Sequence, residues 1–494
     1  MGTIELLRAT SVRPWFIAAG AVLVVGGAAA GLHAPISGAD FWHLANAAVI
    51  NRGGLGASAT YLAHPGAPLD VRSWLADLFL LLVYRTEGLI GLELLGAAAG
   101  ALIGAALFLA VSRGGRAHPL VMVVAAGLGI LALTPVLTDF PSETLALLAL
   151  VLLLALAAVR RQKRWAAVAL VALVVVWSNT QADSVLAVLV IWGWVVFARW
   201  DAARAGHGPA PSWWLLPLTG AALLLNPRAL GTFSNLPLSL GTRGEYPFLA
   251  AWSSVNFHPW SARLAELSGV VLLTAYWMAG HQLRRADAYL GLVTALLALL
   301  WVQYLPWFLV VAAVQGSWFL SAPVWSHLEG TPEMVDDRLL RPRVVAGLRA
   351  AAAVPVVIAL GFLGHAAVQA QGGGGAAGQT ASQLPVRATS WLAAHPSPGA
   401  WFTTPAFGDY LSDRFPDGAH LTCGDDPLPL AGLNLARCQQ LMVLNTGALK
   451  VISELHVQLS VLPASSPQAS FLLAEGWKIR YRDRSTVILA PSNL

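Results

Sequence analysis

Ser73-Trp-Leu-Ala-Asp-Leu-Phe-Leu-Leu-Leu-Val-Tyr84 is the stretch on which the topology of this chain turns. Its apolar run is about a dozen residues, short for a helix that must cross a hydrocarbon core with roughly 20. Read as a span, it inverts everything downstream. Read as a helix lying on or dipping into one membrane face, it leaves about eleven spans, over residues 15–32, 88–112, 119–135, 140–159, 165–178, 184–198, 213–226, 267–283, 287–302, 305–321 and 344–368. The basic clusters favour the second reading. Arg8 and Arg13 precede the first span. Arg113 and Arg116, then Arg160, Arg161, Lys163 and Arg164, then Arg199 and Arg204, then Arg284 and Arg285 follow every second one, and Arg338, Arg341 and Arg343 precede the last. All fall on one side, which the positive-inside rule makes cytoplasmic. The N-terminus is then cytoplasmic, and the odd number of spans carries the C-terminus outside.

Composition agrees with a polytopic α-helical membrane protein. Of 494 residues, 57% are hydrophobic and 11% charged, and the mean hydropathy is +0.65. A soluble domain carries about 25% charged residues, so most of this surface faces something other than water. The net charge of +5 sits in short clusters between apolar runs, which serves topology and gives no nucleic-acid signal. The apolar run after Pro14 ends in Gly31-Leu32-His33 without an A-x-A site, so it reads as an uncleaved first span that also targets the protein.

The chain divides into a membrane domain over 1–370, with outer loops 33–74 and 227–266, a glycine-rich linker over 371–384, and a C-terminal domain over 385–494. In that last part helix-like and strand-like segments alternate. Pro385–His395, Gly408–Phe415, Leu449–Val457 and Gln468–Glu475 read as helices. Trp401–Thr404, His420–Cys423, Leu441–Leu444, Leu459–Leu462 and the closing hairpin Lys478–Ala490 read as strands. The pattern predicts a small extracytoplasmic α/β layer domain. No glycine-rich phosphate loop precedes its helices, so no nucleotide is assigned. The two cysteines, Cys423 and Cys438, both lie here. Two thiols in an outward-facing domain point to a disulfide, against the alternative of two separate buried thiols.

Chemistry concentrates where the chain first leaves the membrane, at Gly38-Ala39-Asp40-Phe41-Trp42-His43. A carboxylate at that level can act as general base for an attacking hydroxyl, or ligate a divalent cation that binds phosphate. His43, three residues on, shares a helical face with Asp40, and Trp42 suits the interfacial belt or a stacked sugar. A plain helix start, with Asp40 as cap, Trp42 as anchor and His43 solvated, fits the same spacing. The outer loops also collect Asp70, Asp139, Asp183 and Glu245, and the arginines Arg72, Arg228 and Arg243. Guanidinium forks match lipid phosphates, although acids are simply permitted outside and arginines also snorkel to head groups. There is no Walker loop, CxxC, HExxH or CxxCH. Charges inside the spans are few, Glu93 being the clearest, which speaks against an ion relay, and no inverted repeat suggests a transporter.

These elements together resemble a group of bacterial membrane proteins related to the GT-C glycosyltransferase superfamily, over nearly the whole chain. Asp40-Phe41-Trp42-His43 is similar to a D-L-W-W-H-like element, one tryptophan short. Ser73-Trp74-Leu75 stands where members show H-E-W-L, Asn226-Pro227 matches an N-P that ends a middle span, Gly408-Asp409-Tyr410-Leu411 resembles G-G-Y-L, and Gly476-Trp477 through Leu489 resembles the closing hairpin. The resemblance implies a bacterial cytoplasmic-membrane enzyme, a polyprenyl-phosphate sugar reached from the bilayer, and Asp40 as base or as ligand of a divalent metal ion. Two departures, Arg72-Ser73 in place of H-E and Asn179-Thr180-Gln181 in place of N-x-H, imply either a changed substrate or a non-catalytic membrane subunit whose outer domain binds a protein partner.

Overall fold

The computed structural model describes residues 3–33, 36–62, 69, 71–112, 165–181, 183–205, 211–235, 254–258, 260–280, 283–329, 383–397, 399–416, 420–424, 433–445 and 447–492. The membrane part is helical: α1 (Thr3–His33), α2 (Gly38–Gly53), α3 (Trp74–Ser112), α4 (Trp165–Thr180), α5 (Ser184–Arg204), α6 (Leu215–Leu223), α7 (Trp260–Ala279), α8 (Arg285–Leu300) and α9 (Leu305–Glu329). Among the described residues, Trp74–Ser112, Ser184–Arg204 and Val302–Ser321 are long and apolar enough to cross a membrane. The protein is a multi-pass α-helical membrane protein with a small C-terminal α/β domain. Eight of the expected spans fall on described residues and each meets a helix, although α6 is only nine residues long. The spans expected over 119–135, 140–159 and 344–368, and the linker as far as residue 382, lie outside the described residues.

The stretch Ser73–Tyr84 opens a long helix with a break in it. The helical run from Trp74 to Ser112 breaks at Gly88, where φ is 64° and ψ is −147°, a conformation open to glycine and strained for other residues. The 24 residues after Gly88 are long enough to span alone, about 36 Å at 1.5 Å per residue. The part before it stays in one layer. Trp74 Nε1 donates to Asn179 at the end of α4 (2.8 Å), while Tyr84 accepts from Arg414 of the C-terminal domain (3.0 Å). Leu75, Phe79 and Leu82, at i, i+4 and i+7, are exposed, and Ala76, Asp77, Leu80 and Leu81 are buried. That exposed apolar stripe is a surface suited to lipid contact.

The spanning part of α3 is locked to α1 by small residues. A Cβ on Gly27 would overlap the carbonyl oxygen of Gly100, one on Gly31 that of Gly96, and one on Gly104 that of Leu23. Four-residue spacing keeps these glycines on one face, so the two backbones touch.

The helices define two ends of the bundle. At one, Asp201 near the end of α5 accepts the Ala286 N–H of α8 (3.1 Å), and Arg204 and Arg285 both stand over the Trp200 ring, at 5.5 and 5.0 Å. The expected basic clusters around Arg199–Arg204 and Arg284–Arg285 therefore share an end. Trp318 of α9 donates to Val111 of α3 near it (3.2 Å). At the other end lie α2, the start of α3, the end of α4 and the start of α9, where Trp177 meets Trp307 edge-on at 5.5 Å.

The C-terminal domain contains α10 (Ala388–Ala394), β1 (Ala400–Thr403), α11 (Pro405–Arg414), β2 (His420–Leu421), α12 (Leu433–Val443), α13 (Ala448–Glu454), β3 (Val457–Pro463), α14 (Pro467–Ala474), β4 (Lys478–Arg482) and β5 (Thr486–Ala490). The sheet order is β2-β1-β3-β5-β4. β1 runs parallel to β2 and β3, and β5 is antiparallel to β3 and β4. Side chains alternate across the sheet. Phe402, Leu462, Val487 and Leu489 face α12, α13 and α14. Trp401, Val461, Ile488 and Ala490 face α10, α11 and, beyond them, α2 and α3. Cys423 and Cys438 form the expected disulfide, with Cα atoms 5.5 Å apart. One segment differs from expectation: Leu441–Leu444 is not a strand, since Leu441–Val443 close α12 and Leu444 turns the chain with φ 55°. The Leu-Met-Val-Leu run looks strand-like alone, yet Cys438 and Leu441, three apart, are the positions that turn inward.

Candidate active site at the α2 face

Residues of α2 are buried along nearly its whole length because the helix lies between two partners. Below it is α3. Above it is α11, so close that a Cβ on Gly38 would sit 2.6 Å from the Ala406 carbonyl oxygen. Phe41 meets Tyr410 edge-on at 4.7 Å, and the Arg414 guanidinium stands over both rings. The chain after α2 continues the contact. Leu421 N–H of β2 donates to Tyr61 O (3.0 Å), and Leu62 bridges to Leu421 in parallel, so this loop extends the sheet at its β2 edge.

Asp40 occupies the third position of α2 and accepts the Ser37 backbone N–H at 2.7 Å, the carboxylate half of a capping box. It is 2% exposed, whereas its position in the sequence suggests a hydrated acid at the membrane surface. The reason is the roof: the C-terminal domain covers the start of α2. His43 also departs from expectation. Its Nδ1 bonds not to Asp40 but to Asp77 Oδ1 of α3, at 2.6 Å, and Asn46 Nδ2 donates to the other oxygen at 2.5 Å. His43 is buried rather than solvated. Trp42 is buried too, edge-on to the His43 ring at 4.7 Å.

A second acid stands at the same end of the bundle. Asp183, in the turn between α4 and α5, accepts from Trp177 Nε1 at 3.1 Å. Burial pushes its carboxyl up to about 7, against the opposing pull of the Trp177 hydrogen bond, its backbone contact and the positive charge of Arg72. The neighbouring Asn179 ties the layer together, accepting from Trp74 and donating to Leu225 O at 2.7 Å. That carbonyl opens the Asn226-Pro227 turn, where Asn226 Oδ1 accepts the Arg228 N–H at 2.8 Å and so fixes the start of the arginine's segment.

The structure thus brings Asp40, Trp42, His43, Arg72, Asp183 and Arg228 to one end of the fold. Asp70, Asp139, Arg243 and Glu245 lie outside the described residues. Among the described residues, no three His, Cys, Asp or Glu side chains gather to hold a cation. Asp77 and Asn46 were not legible as site residues. Asp77 did carry a signal, as the one charged residue in the apolar run Ser73–Tyr84.

No family model and no curated protein matches the chain. Among solved structures, it is similar to the Archaeoglobus fulgidus oligosaccharyltransferase tethered with an acceptor peptide containing the NVT sequon. The TM-score is 0.51 at 11% identity, over 97% of this chain and 74% of that one. The chain shares the GT-C fold. Two structures of ArnT from Cupriavidus metallidurans, one bound to undecaprenyl phosphate and one apo, align at a TM-score of 0.48 with 11% and 13% identity, over 99% of this chain and 97% of theirs. At such identity the likeness is one of fold.

Proposed function

We propose that this protein is a GT-C-type membrane glycosyltransferase of the bacterial cytoplasmic membrane. It moves a sugar from a polyprenyl-phosphate donor to a hydroxyl of an acceptor at the α2 face, which would be extracytoplasmic. The observation that carries the reading is the convergence of α2, α3 and α4 at one end of a GT-C fold, through His43 with Asp77 and Trp74 with Asn179. In the reaction the acceptor oxygen bonds to the anomeric carbon. The bond from that carbon to the phosphate oxygen breaks, its electron pair leaves with the polyprenyl phosphate, and the hydroxyl proton passes to a base on the protein. Arg72 and Arg228 offer the leaving phosphate positive charge, and such electrostatic help is commonly a large share of catalysis.

The resemblance implies Asp40 as base or metal ligand. Asp40→Asn tests that cleanly, because the amide oxygen still accepts the Ser37 N–H while the charge is lost. The assay is sugar transfer from labelled polyprenyl-phosphate sugars by the full-length protein in nanodiscs. Loss of transfer at unchanged melting supports chemistry at Asp40, and unchanged transfer places the proton elsewhere on the face. Absence of transfer from any such donor, with no lipid phosphate retained on purification, sinks the enzyme reading.

The capping duty of Asp40 favours a second reading, a non-catalytic subunit with a GT-C body whose C-terminal domain binds a protein partner. Stoichiometric copurification of another protein from mild detergent, without bound lipid phosphate, would support it.

A further inference from the structure

We infer that the proton acceptor on the α2 face is Nε2 of His43, with Asp77 as the residue that positions it. The inference rests on the transfer reading and names its base. An ionised carboxylate only accepts hydrogen bonds. Asp77 accepts from His43 Nδ1 through one oxygen and from Asn46 Nδ2 through the other, so the imidazole proton sits on Nδ1. The lone pair is then on Nε2, pointing away from Asp77. That nitrogen makes no hydrogen bond among the described residues, and 8% of the side chain is exposed.

The rest of the arrangement holds the ring still. Asp77 is fully buried on α3, the Trp42 ring stands edge-on to the imidazole, and Asn46 sits one helical turn along α2 from His43. A carboxylate that fixes the tautomer and orientation of a histidine whose far nitrogen is open is the arrangement by which histidine serves as a base. Asp40, three residues earlier, is occupied with the helix start. In the transfer step the acceptor O–H would hand its proton to Nε2 as oxygen bonds to the anomeric carbon. The imidazolium then keeps its Nδ1–H on Asp77, which stabilises the charge it has gained.

Two measurements on the full-length protein in nanodiscs test this. The first is transfer by His43→Asn, whose side-chain amide can still donate to Asp77 while lacking a base. The expected result is a fall in kcat of about 100-fold or more, with donor KM and melting temperature near wild type. Transfer at the wild-type rate overturns the assignment and leaves the enzyme reading intact. The second needs no substrate: carbethoxylation by diethyl pyrocarbonate, mapped by peptide mass spectrometry. His43 should be labelled in the folded protein, at least tenfold more slowly in Asp77→Asn, and at a restored rate in the Asn46→Asp/Asp77→Asn exchange, which returns one carboxylate to the cluster. A folded wild-type protein in which His43 resists the reagent overturns the proposal, because Nε2 is then closed. If wild type transfers nothing, the enzyme reading fails by itself, while the labelling still reports whether Asp77 holds a reactive imidazole.

Discussion

Asp183→Asn should make the protein more stable, by an amount that grows as pH rises from about 4 to about 7. The carboxyl is pushed from its ordinary 3.8 up to about 7 by burial between α4 and α5. Each pK unit is 1.36 kcal/mol, so ionising this group in the fold costs roughly 4 kcal/mol more than in the unfolded chain. A folded acid with a raised pKa binds more protons than its unfolded form between pH about 4 and 7. Stability therefore falls as pH rises through that window and is flat above it. Asn cannot ionise, and its amide oxygen can still accept from Trp177 Nε1. The variant should come close to wild type near pH 3.5 and gain up to about 4 kcal/mol at pH 8, a shift of several degrees in melting. The assay is intrinsic tryptophan fluorescence on heating, in the same detergent at both pH values. Equal melting at pH 8, or a loss there, refutes the claim that Asp183 is buried at a cost. It would mean that Arg72 and the Trp177 hydrogen bond already offset its desolvation.

Gly100→Val drives a branched side chain into the Gly27 carbonyl, so α1 must move off α3. Overpacking typically costs about 1–3 kcal/mol, and thermal melting should fall accordingly, while Val at Gly26, where nothing lies within 4 Å, should not lower it. Phe41→Ala empties the ring seat against Tyr410 at a cost of about 3–5 kcal/mol, and hydrogen exchange in α11 should quicken while β3 stays protected. Uniform exchange across the domain would show that α2 does not hold it. Breaking the Cys423–Cys438 bridge, whose cysteines are 15 residues apart, should cost about 3 kcal/mol, and a reductant should lower the melting of wild type but not of a Cys423→Ala/Cys438→Ala variant.

Much of this fold was legible because a membrane leaves few choices. Apolar runs of sufficient length become helices, and arginine clusters assign their ends. The pairing of Asp201 with Ala286 and Arg285 puts two of those clusters together as the charge pattern demands. That Ser73–Tyr84 is helical was readable from its apolar run, although the break at Gly88 needed backbone geometry to locate. The α1–α3 seam was harder, since Gly27, Gly31, Gly96, Gly100 and Gly104 are lost among 46 glycines unless the partner helix is known. The site was the least legible part. Helical spacing correctly puts His43 and Asp40 within a turn of each other, but it cannot show that a carboxylate 34 residues away competes for the imidazole and wins.

The same limit explains why Asp40-Phe41-Trp42-His43 and Gly408-Asp409-Tyr410-Leu411 read as two separate motifs. They are two sides of one interface. Phe41 faces Tyr410, Gly38 admits the backbone at Ala406, and Arg414 reaches from α11 to Tyr84 of α3. On the proposed transfer reading, a helix that carries the base must not drift relative to the bilayer that supplies the donor. α2 is held from below by the Asp77 cluster and from above by α11, so His43 and Asp40 keep their height only while the C-terminal domain is seated. Chemistry at the α2 face should then depend on a domain that supplies none of the reacting groups. The Phe41→Ala variant exposes that dependence: its transfer rate should fall together with protection in α11, at a donor KM close to that of wild type. Full transfer in a protein whose α11 exchanges freely would mean that the roof covers the site without holding it.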